Sequence, residues 1–226
     1  VLMDIQGKPS LEFMIERVLK SKYIEKIIVA TTTTKKDKVI VDFCKNKKIA
    51  FYCGSENDVL DRYYQASKKN GVKTIVRLTS DCPLIDPYLI DKTIDLYFKK
   101  FVNYASNAVP PELKKYPDGS DVEVFSFTDL TRAWIETKDI KDREHVTFYF
   151  WKRNKNFKTA ILDNKHDWGK YRITVDYKED IDLVRKIVKK LEDQKKFGTT
   201  KEIIQILESN SNLLKLNSMH SWGSNW

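Results

Sequence analysis

The apolar positions in the first hundred residues switch repeatedly between helical spacing and short continuous runs. Helices are predicted where apolar residues recur every three or four positions, and Ser10 is placed to cap the first of them. Strands are predicted where short β-branched or aromatic runs stand between turn residues. In chain order these are helix 10–22, strand 25–33, helix 35–47, strand 49–53, a helix ending at Gly71, strand 73–80 and helix 87–100. Such alternation predicts an α/β fold with a parallel, doubly wound sheet.

The second half of the chain has a less regular pattern. Residues 103–125 are rich in Pro, Asn and Tyr and contain one predicted strand. Thr199 or Thr200 is placed to cap the last helix. The predicted elements are strand 122–125, helix 128–137, a helix beginning near residue 143, strands 157–163 and 171–176, and helices 178–192 and 199–210. With 226 residues, 41% of them hydrophobic, the chain is expected to form one domain, 1–226.

Charge and composition narrow the class of protein further. The formal net charge is +9, but the lysines are scattered, so a solvated basic surface is preferred over a polyanion-binding patch, and no nucleic acid partner is expected. No stretch of about 18 apolar residues could span a membrane, and no signal peptide pattern is present. Three cysteines without metal-ligand spacing are typical of free thiols. We therefore expect a cytoplasmic protein with no membrane partner.

Two aspartates stand where predicted strands end. Asp81 follows strand 73–80, and Asp176 ends strand 171–176. Ligands of open α/β sheets bind beyond the carboxyl ends of the strands, and carboxylates there can hold Mg²⁺. Asp81 is equally placed to cap the turn before Pro83. Asp176 precedes the first turn of a helix whose own acidic residues complement the helix dipole, so it is free to bind a metal.

The segment from Gly54 to Arg62 joins a turn to a helix. Gly54 offers backbone N–H groups and Ser55 a hydroxyl to a phosphate, ribose or base. Asp58 is placed either to cap the helix or to contact a ligand. Arg62 is placed either to pair with Asp58 at i,i+4 or to reach a nucleotide.

A third polar cluster follows the turn signal at Asp118 and Gly119. Asp121 and Glu123 alternate with valines, so both carboxylates are expected on one side of a strand. That side is either an exposed strand face or a row of acceptors for sugar hydroxyls.

The chain has three histidines, and His145 stands beside Arg143 and Glu144 near a predicted helix start. It is either structural or part of a site for an acidic or hydroxylated substrate. No serine stands in a nucleophile-elbow sequence, so a Ser/His/Asp triad is not supported.

Taken in order, these segments resemble one family over nearly the whole chain. The matching stretches are VLMDIQGKP, SENDVLDRYYQA, VRLTSDCPLIDP, YPDGSDVEVFS, DREHVT and RITVDYKEDIDLV. They resemble the spore-coat polysaccharide cytidylyltransferases, which are relatives of the CMP-sialate and CMP-Kdo synthetases. The resemblance implies a nucleotide-diphospho-sugar transferase (GT-A-like, Rossmann-like) α/β sandwich with a mixed, mainly parallel sheet. It also implies transfer of CMP from CTP to an acidic, nonulosonate-type sugar, with release of pyrophosphate.

The resemblance also assigns roles to residues. Asp81 and Asp176 would be the catalytic pair that holds Mg²⁺. Residues 103–150 would form a substrate-binding or dimerisation insertion, which implies a homodimer. The nucleotide would be approached by Gly54, Ser55, Asp58, Asp61, Arg62, Thr79 and Ser80. The acceptor sugar would lie near Asp118, Gly119, Asp121, Glu123, Arg143, Glu144 and His145.

The chain departs from the family pattern at its beginning. The family starts with a strand and an Arg-containing loop that cradles the CTP phosphates, whereas this sequence starts at Val1, just past that loop. We expect an incomplete record of a longer chain, and no catalysis by residues 1–226 alone. Two rival functions stay open: a nucleotide-sugar-dependent glycosyltransferase, although no Asp-x-Asp motif stands near Asp81, and a non-catalytic scaffold of the same fold.

Overall fold

The structure is a computed structural model that describes residues 1–153 and 156–220. The strands are short and begin with a hairpin that the apolar pattern did not predict. They are β1 (Asp4–Ile5), β2 (Lys8–Pro9), β3 (Ile28–Thr32), β4 (Ala50–Gly54), β5 (Thr74–Arg77), β6 (Tyr104–Ser106), β7 (Glu123–Ser126) and β8 (Thr159–Ile161).

Most of the helices follow the predicted amphipathic stretches. They are α1 (Ser10–Val18), α2 (Lys38–Asn46), α3 (Val59–Lys69), α4 (Pro87–Lys100), α5 (Phe127–Glu136), α6 (Ile140–His145), α7 (Lys178–Asp193), α8 (Thr200–Glu208) and α9 (Ser211–Leu214). Tyr149–Arg153 form a π-helical segment. Within the described ranges, no helix is both long and apolar enough to cross a bilayer.

Side-chain caps explain several helix starts. Asp58 accepts a hydrogen bond from the Asp61 amide at the start of α3, and Asp86 accepts one from the Tyr88 amide at the start of α4. Thr199, and not Thr200, caps α8 through a reciprocal arrangement with Glu202. The predicted cap at Ser10 is wrong: Pro9 occupies the N-cap position, and the Ser10 hydroxyl instead donates to the Val1 carbonyl at 2.7 Å.

The larger sheet has the strand order β5-β7-β6-β8. β7 runs antiparallel to both of its neighbours, and β6 runs parallel to β8, so β5, β6 and β8 share one direction. The expectation of a mixed, mainly parallel sheet is thus confirmed. A purely parallel, doubly wound sheet is wrong, because β7 enters the sheet in reverse.

A second sheet pairs β3 with β4 in parallel. Among the described residues, β3 pairs only with β4 and β5 only with β7, so each of these two strands leaves one edge without a strand partner. A cavity of about 660 Å³ is lined by both strands. The cavity is also lined by Leu78, Thr79 and Ser80, which immediately precede Asp81, so it borders the candidate site.

Three apolar clusters hold the layers together. One packs α7 and α8 against Ile5, Leu84 and Ile173. A second packs α3 and α5 with aromatic side chains beneath β6 and β7, where Tyr104 and Phe125 are almost fully buried. The third packs α1 and α4 against Val122 and Val124. Residues 103–150 therefore contribute β6 and β7 to the main sheet, and an insertion role for this segment stays a prediction.

Two element predictions need correction. Residues 171–176 do not form a regular strand; they make a single parallel bridge, between Asp118 and Arg172. The helix predicted from residue 143 is instead the end of α6, because Val146 has a positive φ of 59° and breaks the helix before the π-helical segment begins. Both segments border the candidate site.

Candidate active site

Asp81 lies in the turn that follows β5 and contacts the segment that leads to Asp176. The Val175 amide donates to the Asp81 carbonyl at 2.8 Å. The Thr174 hydroxyl lies 3.2 Å from Oδ2 of Asp81, where it donates a second hydrogen bond. The two predicted carboxylate-bearing segments are therefore joined through their backbones, and Asp176 stands one residue beyond the joint.

Asp176 is exposed, but its carboxylate is held in place. Arg172 donates through Nη2 to Oδ2 of Asp176 at 2.7 Å and to Oδ2 of Asp180 at 2.8 Å. Asp180 is fully buried. Burial acts to raise the pKa of Asp180, but hydrogen bonds from Arg172, from Asn217 and from two backbone amides outweigh it, and the pKa is lowered. An ionised Asp180 therefore anchors Arg172 beneath Asp176.

The loop that carries Asp118 packs directly on this segment. The Asp118 amide donates to the Tyr171 carbonyl at 2.9 Å, and the Ile173 amide donates to the Asp118 carbonyl at 2.7 Å. Gly119 has a φ of +94°, and a Cβ added there would lie 2.6 Å from the Ile173 carbonyl carbon. Only glycine allows so close an approach of two backbones in this conformation. The loop predicted for the sugar thus lies beside the predicted metal pair.

A buried lysine balances the charge of this loop. Nζ of Lys114 lies 3.5 Å from Asp118 and 3.3 Å from Asp121. Burial raises the pKa of Asp121 to about 6, against the opposing effect of Lys114. Burial also raises the pKa of Asp118, with Lys114 and Arg172 opposing. Asp118 and Asp121 are therefore held in a crowded, partly desolvated acidic environment.

The cavity adjoins Asp81 in the chain, because Thr79 and Ser80, which immediately precede the aspartate, line it. Other polar side chains of the lining come from β3 and the turn after it, from β5, from α3 and from α6. They include Thr31, Thr32, Asp37, Arg62, Arg77, Glu144 and His145. Five predicted site residues therefore border this space: Arg62, Thr79, Ser80, Glu144 and His145.

The remaining residues predicted for the nucleotide are engaged by other protein groups. Asp58 caps α3 and also forms an ion pair with Arg143 at 2.7 Å, so the predicted pair with Arg62 does not form. Arg62 instead donates through Nη1 to the Ser55 carbonyl at 2.8 Å. Asp61 accepts a hydrogen bond from Trp134 Nε1 at 2.8 Å. Asp58, Asp61 and Arg143 therefore brace α3 against α5 and α6 in this structure.

Gly54 ends β4, and its position is constrained by packing. A Cβ added there would lie 2.9 Å from the Tyr52 ring and 3.1 Å from Cγ of Arg62. Ser55 is exposed, and its hydroxyl accepts a hydrogen bond from the Asp58 amide at 3.0 Å. This turn supports Arg62, and contact of Gly54 or Ser55 with a ligand stays a prediction.

Glu123 is buried, so the interpretation as an exposed strand face is wrong. Tyr104 donates to it at 2.5 Å and the Thr147 hydroxyl at 2.6 Å, and Arg77 forms an ion pair with its other oxygen. Burial alone would lower the pKa of Arg77, but Glu123 reverses the effect and raises it. Glu123 therefore accepts hydrogen bonds from three donors and holds Arg77, which lines the cavity, in place.

His145 ends α6 at the cavity. Its ring stacks on Phe148 at 4.3 Å between centroids. Burial lowers the pKa of His145, which favours the neutral imidazole at pH 7. A neutral ring can accept or donate a hydrogen bond, depending on its tautomer.

The donor chemistry of the Asp81 and Asp176 pair fits Mg²⁺. Within residues 1–153 and 156–220, no group of three or more His, Cys, Asp or Glu side chains is arranged to hold a metal ion. Mg²⁺ sites of nucleotide enzymes commonly use only one or two protein carboxylates and complete their shell with waters and substrate phosphates. Two carboxylates on adjoining segments therefore suit a metal that arrives with a nucleotide.

Sequence reasoning missed three charged residues that shape the site. Arg77 stands inside a run of strand residues, and Arg172 and Lys114 stand among other scattered basic positions. The one available signal was Arg77, because a charge inside a buried strand needs a partner. The partners of Arg172 and Lys114 come from distant parts of the chain, and no spacing indicates them.

Comparison with known proteins gives a consistent picture. A family described as Cytidylyltransferase matches residues 1–218. The uncharacterized protein MJ1063 of Methanocaldococcus jannaschii is 36% identical over 224 residues, covering 96% of this chain and 87% of the relative. The spore coat polysaccharide biosynthesis protein SpsF of Bacillus subtilis is 26% identical over 219 residues, covering 93% and 88%. A solved cytidylyltransferase structure from Leptospira borgpetersenii has a TM-score of 0.87 at 28% identity, covering 94% and 88%.

Proposed function

Because this chain belongs to the cytidylyltransferase family, we propose that it transfers CMP from CTP to a hydroxyl of an acidic sugar and releases pyrophosphate. The observation that carries the proposal is the contact between Asp81 and the 174–176 segment, next to Thr79 and Ser80 of the cavity lining. The similarity to a spore coat polysaccharide biosynthesis protein supports a role in making surface polysaccharide. The resemblance to the CMP-sialate and CMP-Kdo synthetases supports an acidic, nonulosonate-type acceptor. A homodimer formed through residues 103–150 stays a prediction.

The reaction is an in-line displacement at the α-phosphate. The sugar oxygen forms a bond to the α-phosphorus, the bond from that phosphorus to the bridging oxygen of the β-phosphate breaks, and pyrophosphate leaves. The hydroxyl proton passes to solvent or to a nearby carboxylate. No covalent intermediate with the protein is required, so positioning and electrostatics supply the rate enhancement.

The residues divide this work by position. Asp81 and Asp176 would hold Mg²⁺, which when bound neutralises charge on the phosphates. Thr79 and Ser80 stand just before Asp81 at the cavity and are placed to donate hydrogen bonds to the nucleotide. Arg62 brings a positive charge to the lining of the same cavity. The Asp118 loop packs on the 172–174 backbone and is placed to orient the acceptor sugar.

The test is Asp81→Asn in the full-length protein. Asparagine preserves the size of the side chain and most of its contacts with Thr174, but it removes the negative charge that a cation needs. We expect kcat for pyrophosphate release from CTP, with Mg²⁺ and a panel of nonulosonic acids, to fall about 100-fold or more. The matched control is Asp163→Asn, which removes a carboxylate from an exposed pair with Lys115 and should leave kcat unchanged.

Three results would contradict the proposal. Near-wild-type rates for Asp81→Asn would remove the role of this carboxylate. Production of a free nucleoside diphosphate from a nucleotide sugar would favour a glycosyltransferase. An absence of any metal-dependent CTP binding by the full-length wild type in calorimetry would favour a scaffold.

A further inference from the structure

Arg172 gathers three carboxylates around one guanidinium. It contacts Asp118 through Nη1 at 2.8 Å, Asp176 and Asp180 through Nη2 at 2.7 and 2.8 Å, and Asp180 again through Nε at 3.1 Å. The Arg172 side chain is only 10% exposed. A planar guanidinium with fixed donor directions can hold several carboxylates in one defined geometry, and lysine cannot reproduce this.

The position of Arg172 does not depend on Asp176. Asp180 takes two of its hydrogen bonds, and Asp180 is itself fixed by Asn217 at 2.8 Å and by the Tyr177 amide at 3.0 Å. Asp118 takes a third, and its loop is bonded to residues 171 and 173. Since Asp118 and Asp180 are buried or nearly so, they hold the guanidinium of Arg172 in a fixed position. Asp176 is the exposed carboxylate that bonds to it.

The contact leaves one oxygen of Asp176 available. Among the contacts of the described residues, Arg172 bonds to Oδ2 of Asp176, and no hydrogen bond to Oδ1 is present. Carboxylates that ligate metals are commonly oriented through a hydrogen bond to their second oxygen. The arrangement at Asp176 has this form.

We infer that Arg172 is a positioning residue that fixes the Asp176 carboxylate so that its free oxygen can take a divalent cation. This inference rests on the proposed function, since it assumes that Asp176 is a metal ligand. The opposing possibility is that Arg172 competes with the cation for Asp176. Competition is disfavoured because Asp118 and Asp180 already offset the charge of Arg172. These two carboxylates also keep the guanidinium in place when Asp176 binds a metal ion.

The test uses Arg172→Lys, which keeps the charge and loses the forked donor geometry. The probe is Mn²⁺ alone, titrated into the full-length protein and followed by electron paramagnetic resonance of the free ion. We expect the dissociation constant of Mn²⁺ to rise about 10- to 100-fold. In activity assays the Mg²⁺ concentration for half-maximal rate should rise by a similar factor, and kcat should recover largely at high Mg²⁺. A merely structural residue would lower kcat without moving the metal dependence.

The matched control is Arg185→Lys. Arg185 is 40% exposed and pairs with Asp182 on α7, so its replacement should leave Mn²⁺ affinity unchanged within about twofold, as is usual for exposed pairs. A second variant covers the case in which Arg172→Lys does not fold. Asp118→Asn removes one anchor of Arg172 and retains the guanidinium, and it should weaken Mn²⁺ binding by a smaller factor.

The outcomes separate the two proposals. If Asp176→Asn loses Mn²⁺ affinity while Arg172→Lys and Asp118→Asn bind as tightly as the wild type, or more tightly, the positioning role is refuted and the metal site stands. If Asp176→Asn binds Mn²⁺ as the wild type does, the metal assignment in the proposed function is itself refuted.

Discussion

Replacing Gly119 with alanine should separate the two loops that form the candidate site. Gly119 adopts a φ of +94°, and an alanine Cβ would lie 2.6 Å from the Ile173 carbonyl carbon and 2.7 Å from Cα of Thr174. These are backbone atoms, so no side-chain rotation can relieve the overlap. The 118–120 loop or the 172–174 segment must move.

The cost has two parts that can be separated experimentally. The left-handed conformation costs a non-glycine residue roughly 1–2 kcal/mol. Overpacking against fixed neighbours costs a further 1–3 kcal/mol, roughly. The matched control is Gly7→Ala, because Gly7 has a φ of +81° and nothing lies within 4 Å of its added Cβ. Gly7→Ala therefore incurs only the conformational part.

We expect urea denaturation to give a loss of about 2–5 kcal/mol for Gly119→Ala and about 1–2 kcal/mol for Gly7→Ala. Activity should fall only in Gly119→Ala, since a displacement of about 1 Å at reacting groups can cost on the order of 100-fold. The reasoning is refuted if the two variants lose equal stability, or if Gly119→Ala keeps wild-type activity.

Two further predictions concern the cavity wall. Glu123→Gln removes the charge opposite the largely buried Arg77, so unfolding free energy in urea should fall by about 3–5 kcal/mol, whereas Glu16→Gln, in an exposed pair with Lys8, should cost under about 1 kcal/mol. Equal losses would show that Arg77 and Glu123 do not depend on each other. Burial lowers the pKa of His145 below its usual value of 6.5, so the unfolded state binds this proton more readily, and stability should rise as pH increases toward about 6.5 and then level off. The measurement is the difference in unfolding free energy between the wild type and His145→Gln across that range, and a flat difference would contradict it.

Local patterns were sufficient for most helices. α2, α3, α4, α7 and α8 lie within or close to their predicted ranges, because each carries an apolar stripe at helical spacing that packs against the rest of the fold. β3, β4, β5 and β7 were likewise indicated by runs of β-branched or aromatic residues. Caps at Asp58 and Thr199 follow from local hydrogen bonding that the sequence already contains.

Elements that depend on distant partners were not predictable in this way. β6 has three residues and joins the sheet between β7 and β8, which follow it in the chain. Residues 171–175 have the composition of a strand, but they bond to the 118 loop and to Asp81 in place of a regular ladder. The antiparallel direction of β7 likewise depends on the strands it pairs with, and the pattern of apolar residues along the sequence does not indicate strand direction.

The amino-acid sequence by itself determined the α/β class and the family, because apolar spacing, turn residues and ordered motifs are local properties. It also predicted a metal-holding role for the carboxylates of Asp81 and Asp176, which stays a prediction. Only the tertiary structure decided what surrounds those carboxylates. It placed Arg172 under Asp176, paired Asp58 with Arg143, and buried Glu123 beside Arg77. Each of these contacts joins charged groups that need a partner of opposite charge once folding removes water from them. Which residue becomes that partner depends on how the chain packs, because Asp58 and Arg143, like Arg77 and Glu123, are distant in sequence.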